Sequence, residues 1–342
     1  MPPLALPTRS RGKMSLSAVA RSAGVSVSTV SRYVRGELHL RPETAEAIAR
    51  AMDETGYHPV ADPRQADRVV AVVVPELTNP FFAELAQGLA HSALRQSLGS
   101  ALYLTNGDPR RETEVIESLT ASTDVNGIFC IGMSYDNPTL AKPRTTPIVM
   151  VDEPAGPAPG VVLPFVGPDN YGGALAATSY LASLGHRRIA HIGGPSNVAS
   201  SDLRELGYRD ALSQAGLPID ESIIYRGAYS ETFGANTLGY VARAEQRPTA
   251  VFAASDATAI GVISAAPIHG LRLPEDLSII GFDGIRIGSW LRPALSSVAQ
   301  PIPEIVDAAL STMGQLWAGQ TPPDTMLPMK LVIRDSARPP SH

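Results

Sequence analysis

The chain holds 342 residues, 44% hydrophobic and 18% charged, with 28 Lys and Arg against 33 Asp and Glu for a net charge of −5. That length suffices for two or three domains, and no apolar run reaches the roughly 20 residues needed to span a bilayer. One cysteine, Cys130, rules out an internal disulfide, the seven histidines are too scattered for a metal cluster, and the N-terminus lacks the apolar core of a signal peptide. These features point to a reducing cytoplasm, with no membrane partner and no cofactor. Cys130 sits in GIFCIG and reads as core filler on a buried strand.

Charge is unevenly placed. Residues 1–68 carry ten Lys or Arg against seven Asp or Glu, and the remainder eighteen against twenty-six. A mildly basic head on an acidic body fits nucleic-acid binding through the head alone, although a net of +3 does not establish it.

Arg9, Arg11 and Lys13 lie in a basic tail, residues 1–13, that suits phosphates. Leu16, Val19, Ala20 and Ala23 then share one face at helical spacing before Gly24 breaks the helix, and Val25 closes a small core from the turn. Ser26 suits the N-cap of a second helix from about Val27 to Val34, with Val30 and Val34 inward and Val27, Ser28, Ser31 and Arg32 outward. Small and hydroxyl side chains at the outer N-terminal end let such a helix enter a major groove, where Arg32 is the first candidate to pair with guanine. Taken alone, the pair also fits a surface helix pair in some larger helical domain. Arg41, Pro42, Glu43 and Thr44 open a third helix, with Ile48, Met52 and Tyr57 on its buried side. Three helices make residues 14–58 an all-α helix-turn-helix head.

Beyond Val69, buried-strand runs alternate with helical patterns: VVAVVV, Phe81 to Ser97, SALYLT, a charged helix, then GIFCIG. After the loop EPAGPAPG the alternation resumes with RIAHIGG, Leu203 to Ala215, SIIYRG, Thr232 to Arg243, AVFAAS, Ala257 to His269 and LSIIGFDG. This is βαβ organisation, and it implies two parallel-sheet lobes over residues 69–335 with a ligand cleft at the carboxyl ends of the strands. Asp152, Asp256 and Asp283 each follow a strand and bring carboxylates to one rim. Arg204 opens a helix, Phe81 and Phe82 follow Asn79 and Pro80, and Tyr229 follows another strand. Carboxylates and an Arg that take paired hydroxyls, beside aromatic faces for sugar C–H edges, make a carbohydrate site. Asp256 also reads as the N-cap of the next helix, which leaves it no ligand role, and Asp152 and Asp283 fit turns as well.

The motifs AxxAGVSxxTVSRxx, RPETxxxIxxAxxxxGYxP and VVxxxxNPFFxxL together resemble the lactose-repressor and galactose-repressor family of bacterial transcription regulators, from about Met14 to Ile333. The resemblance implies a homodimer that reads a roughly palindromic double-stranded operator and responds to a small-molecule effector held in a periplasmic-binding-protein-like body. It implies base reading by Val27, Ser28 and Arg32 and backbone contact by Leu16, Ser26, Thr29 and Ser31. It places Asp152, Arg204, Asp283 and Gln300 in the effector cleft, and the residue reading adds Phe81, Phe82, Tyr229 and Ser255 as further lining. Ser255 stands where some sugar-responsive relatives have Asn, and Tyr229 where others have Phe or Trp.

The linker departs from the family. The route after Tyr57, HPVADPRQADR, which contains the linker residues 59–68, is shorter than the family's hinge segment, Pro63 falls inside the expected hinge helix, and Ala66 or Asp67 stands where a Leu wedges into the minor groove. Arg64 is retained and suits phosphate. Minor-groove insertion is therefore expected to be weak or absent. LVIRDSARPPSH near the C-terminus carries no Leu heptad, so a dimer is expected rather than a tetramer.

Two acidic residues around one Arg would repel a sugar phosphate, so a neutral mono- or disaccharide is the expected effector. A purine or nucleoside stacked on Phe82 and Tyr229 is the alternative. An uptake protein would have no reason to carry residues 14–58, and the absence of a Gly-rich phosphate loop, a GxSxG elbow and a metal cluster argues against an enzyme.

Overall fold

The computed structural model describes residues 16–34, 40–55, 57, 68–132, 136–156, 160–161, 163–196 and 198–341. The basic tail and the linker residues Pro63, Arg64, Ala66 and Asp67 lie outside them, as does the side chain of Val34. The chain divides into two compact units, Met1–Asp62 and Pro63–His342.

In the smaller unit, Gly24 adopts φ +66°, a left-handed conformation open to glycine without steric cost, and turns the chain from α1 (Leu16–Ser22) into α2 (Val27–Val34). Val25 N donates to Ala20 O at 3.0 Å across the turn, and Ser26 Oγ accepts from Thr29 N at 3.0 Å as the expected N-cap. α3 (Pro42–Thr55) completes the unit. Val19, Ala20, Val30, Ile48 and Ala51 form its core, with Leu16, Val25, Met52 and Tyr57 packed around them. Ser22 Oγ donates to Glu54 Oε2 at 2.9 Å and ties α1 to α3.

In the larger unit, VVAVVV becomes β1 (Val69–Val74), which needs no polar alternation because neighbours cover both faces. It is followed by α4 (Pro80–Arg95), β2 (Gly99–Leu104), α5 (Pro109–Ala121), β3 (Gly127–Ile131), β4 (Ile148–Val151) and β5 (Phe165–Pro168). The chain then runs through α6 (Asn170–Ser183), β6 (Ile189–Gly193), α7 (Ala199–Gln214), β7 (Ile224–Arg226), α8 (Glu231–Arg243), β8 (Ala250–Ala253), α9 (Asp256–Ala265), β9 (Ser278–Asp283) and β10 (Ser296–Ala299). It ends with α10 (Ile302–Trp317), β11 (Thr325–Leu327) and β12 (Lys330–Val332). Among the described residues there are two six-stranded sheets, ordered β11-β5-β4-β3-β1-β2 and β12-β10-β9-β8-β6-β7. All pairings are parallel except β10 with β12.

The two lobes are interleaved in the chain. It passes to the second lobe after β5, returns after β10 so that α10 packs on α4, and crosses again between β11 and β12. Asp169 N donates to Leu327 O at 2.8 Å, which holds the first and third crossings together, and the β10–β12 pairing sets the second beside them. Ile285, beyond β9, is buried in the core of the first lobe, and Ile260 of α9 packs against it. The lobes therefore share apolar contact as well as chain.

Several element ends differ from expectation for local reasons. α4 stops at Arg95 rather than near Ser97, which takes φ +59°. α7 begins at Ala199, four residues before Leu203. The segment expected as helix through His269 becomes a 3-10 turn over Ala266–His269, because Pro267 has no N–H for the α-helical ladder. Cys130 on β3 is fully buried among apolar side chains, and burial pushes its thiol up to about 12.

Candidate functional site

A cavity of about 280 Å³ lies between the lobes at the carboxyl ends of the parallel strands. Phe82, Asp152 and Glu153 come to it from the first lobe, and Arg204, Tyr229 and Asp283 from the second. Phe81 and Ser255 also reach it, although Phe81 is mainly a core residue of the first lobe. Gln300 is not among its walls; it stands behind Asp283, donating from Nε2 to Oδ1 at 2.9 Å.

Arg204 is the most heavily engaged of these side chains. It is 3% exposed, and its Nε donates to Asn170 Oδ1 at 2.8 Å and its Nη1 to Ala254 O at 2.6 Å. Nη1 also lies 3.6 Å from Asp283 Oδ1, and the guanidinium carbon is 3.9 Å from the Phe282 ring centroid and 5.4 Å from that of Tyr229. A buried cation persists only when paired and hydrogen-bonded. Burial works against this charge, but Tyr229, Asp283, Asp152 and Glu153 outweigh it and raise the Arg204 pKa.

Asp152 and Glu153 are presented by a tight turn. Asp152 has φ +73°, and Glu153 N donates to Val151 O at 2.9 Å across it, a strained conformation for a residue other than glycine. Asp283 is also strained, at φ +107°. Burial pushes Asp152 well above the usual carboxylate range, with Glu153 adding to the shift and Arg204 opposing it. Burial likewise raises Glu153, against the Ser200 hydrogen bonds, and Asp283, against Arg204 and Gln300. A carboxyl that keeps its proton can both donate and accept, as vicinal hydroxyls require. Among the described residues Asp152 Oδ1 is buried with no hydrogen-bond partner.

Asp256 is not the N-cap of α9. The helix begins at Asp256 itself, and Ser255, in extended conformation, caps it by accepting Thr258 N at 3.1 Å. The Asp256 carboxyl group is fully buried and accepts from Ser297 Oγ at 2.7 Å and Ile285 N at 2.8 Å. Burial and nearby Asp283 push its pKa up to about 8. Asp256 thus fastens the segment after β9 to α9.

Glu112, Glu153, Asn170 and Ser200 belong to the cavity or to its support and were not expected from the sequence. For Glu153 a signal exists: two consecutive carboxylates directly after an apolar strand. Asn170 carries no such signal, because only the fold brings it to Arg204.

On the head, Val27 is 45% exposed, Ser28 and Arg32 are exposed, and Thr29 and Ser31 are half-buried beside them on α2. Ser26 and Thr29 hydroxyls lie 2.7 Å apart at its N-terminus. Leu16 is half-buried against the small core. Arg64 lies outside the described residues.

Residues 15–60 match the family described as "Bacterial regulatory proteins, lacI family", and residues 178–337 match "Periplasmic binding protein-like domain". The chain is 33% identical to the HTH-type transcriptional regulator DegA of Bacillus subtilis (strain 168), over 94% of this chain and 97% of that protein. It is 32% identical to the HTH-type transcriptional repressor CytR of Escherichia coli (strain K12), over 94% and 95%. A solved structure, "transcriptional regulator CelR-cellobiose complex", superposes with a TM-score of 0.73 at 29% identity, covering 94% of this chain and 99% of that one. Among the described residues no helix is long and apolar enough to cross a membrane.

Proposed function

The chain belongs to the LacI family of bacterial DNA-binding transcriptional regulators, and on that premise we propose that it is a repressor whose operator affinity is set by a neutral mono- or disaccharide held between its two lobes. The relatives it matches along nearly their whole length are transcriptional regulators rather than enzymes. The observation that carries the ligand class is Asp152: a buried carboxyl with a free oxygen at the cavity wall, its pKa raised, opposite Arg204 and Asp283. A buried carboxyl that holds its proton more tightly than usual, a fixed guanidinium and two aromatic side chains, Phe82 and Tyr229, suit hydroxyls and C–H edges without demanding ligand charge. The cellobiose-bound relative supports the same class. DNA reading is assigned to residues 14–58, with Val27, Ser28 and Arg32 on bases and Leu16, Ser26, Thr29, Ser31 and Arg64 on the backbone, in a homodimer on a palindromic operator. Residues 59–68 link this head to the body, residues 69–335.

The test is binding-site selection from randomised duplex DNA at roughly physiological salt, where non-specific phosphate attraction is suppressed, then competition with neutral sugars. Enrichment of a palindrome whose binding changes with a sugar supports the reading. Enrichment that responds only to nucleobases or nucleosides replaces the ligand class and keeps the regulator.

A further inference from the structure

Helix α7 begins without a cap of its own, since Val198 at its N-cap position offers no side-chain acceptor. The acceptor comes from the other lobe: Glu153 Oε2, just beyond β4, takes the Ser200 N–H at 3.1 Å, and both residues are buried. Each end of this bond is fixed in its own lobe. Tyr208 Oη donates to Ile189 O at 2.7 Å, and a Cβ at Gly207 would meet Tyr171 O at 2.4 Å, so α7 is seated on β6 and on the backbone of α6. Glu153 is held by the tight turn at Asp152, whose N donates to Val166 O at 3.0 Å. With both backbones held, this hydrogen bond forms only over the narrow range of lobe separations that the Glu153 side chain can reach.

We infer that Glu153 is a positioning residue that latches the cleft shut by capping α7 across the gap. Because Arg204 lies one turn further along α7, the latch also fixes where its guanidinium meets Asp283 and Asn170. An acceptor oxygen at a helix N-terminus satisfies an amide that would otherwise be orphaned. Opening the cleft strips the cap and leaves the α7 amide to water. An effector that draws Glu153 onto its own hydroxyls therefore loosens the closed state, whereas one that binds Asp152 and Arg204 while leaving Glu153 on Ser200 preserves it. Glu153 in this way selects among ligands that would otherwise satisfy the same cavity.

The latch does not depend on the carbohydrate reading, and the test uses the full-length protein with no ligand added, so the two can fail separately. Amide hydrogen exchange at the start of α7 and small-angle scattering are compared for wild type, Glu153→Ala, Glu153→Asp and Glu153→Gln. In Glu153→Ala and the shorter Glu153→Asp, exchange in peptides covering Ser200 to Arg204 is expected to rise roughly tenfold, with a larger radius of gyration and unchanged protection in α6 and β6. Glu153→Gln, which keeps a carbonyl acceptor at the same reach, is expected to stay within about twofold of wild type. Unchanged exchange in Glu153→Asp, equal acceleration in Glu153→Gln, or acceleration without a change in scattering would overturn the inference. Should Glu153→Ala lose protection throughout the body, the Asp and Gln variants decide between these outcomes.

Discussion

Gln300 donates through Nε2 to Asp283 Oδ1 at 2.9 Å, and two residues later α10 begins. Its sixteen residues, a rise of about 24 Å, end at Trp317, whose ring lies 4.6 Å from the Arg68 guanidinium carbon and whose Nε1 donates to Asn126 O at 2.8 Å. Asn126 Oδ1 in turn accepts from Val69 N at 2.8 Å. One helix of the first lobe thus joins a carboxyl of the cleft to the residue with which the described body begins.

Arg204→Ala leaves Asn170 and Asp283 facing an empty, buried position. The variant is expected to lose about 3–5 kcal/mol of stability in urea unfolding, as breaking a buried pair does. Arg204→Lys should recover little of it, because a point ammonium cannot serve Asn170 and Ala254 at once while stacking on Phe282. Near-wild-type stability for the Lys variant would show that charge alone is what the site requires.

Stability should fall between pH 6.5 and 8. Asp256 titrates near 8 in the folded protein against an ordinary 3.8, so across that range the folded state keeps a proton the unfolded chain has lost, and its contribution declines as pH rises through the folded value. Asp152, Glu153 and Asp283 are shifted the same way. Below 6.5 the buried His191, pushed down by burial to about 4, works in the opposite sense, which is why the upper window is the informative one. Unfolding free energies from urea titrations at pH 6.5, 7.2 and 8 should drop by up to about 1 kcal/mol per pH unit, and Asp256→Asn should flatten the slope. That substitution is compatible with the site, since its oxygen can accept from Ile285 N while the Ser297 hydroxyl turns to accept from the amide.

Gly194→Ala places a Cβ 2.2 Å from Tyr229 Cζ. The ring is the end of a movable side chain, so it should yield rather than the backbone. Loss of effector binding by tenfold or more in calorimetry, with stability within about 1 kcal/mol of wild type, is expected. A wild-type isotherm would mean that Tyr229 does not contact the ligand.

In the head, Arg32→Ala should weaken the selected operator by about 1–3 kcal/mol and broaden base preference at one position of each half-site. Gly24→Ala acts differently: at φ +66° it strains the turn, lowering head stability by about 1 kcal/mol without changing which bases are preferred. Gel shifts on a library of single-base operator variants separate the two.

An operator complex should lack a kinked central step. The linker presents Ala66 or Asp67 where a wedge would be needed, and Pro63 disfavours a hinge helix by roughly 3 kcal/mol unless it falls in the first turn. Permutation of the operator within a longer duplex, read as gel mobility, reports the bend directly.

The positions most legible in the sequence are those whose chemistry is tied to a strand end. Asp152, Asp283 and Tyr229 follow apolar runs, and all three come to the cavity. Arg204 could be placed on a helix, but its partners could not be named, because Asn170 and Ala254 reach it only through packing of α6 and β8. α6 itself, NYGGALAATSYLAS, is apolar nearly all round and offers no amphipathic period to read. α10 does repeat apolar residues at helical spacing, from Ile302 and Ile305 to Met313 and Trp317, yet which lobe it covers depends on long-range crossings. The cap of α9 is Ser255 and not Asp256, a distinction the sequence does not carry because Ser and Asp are both good caps and stand side by side.

Two bodies joined by a single cord can twist, slide and tumble against each other. The lobes here are sewn together by three passes of chain running side by side, with Asp169 stitched to Leu327. Such a seam resists twisting and sliding and leaves swinging about the seam as the soft motion, much as three knuckles on one pin leave a door only its swing. The same stitching means that neither lobe is a continuous stretch of sequence, so cutting the chain at one place to obtain a lone lobe would remove strands from both.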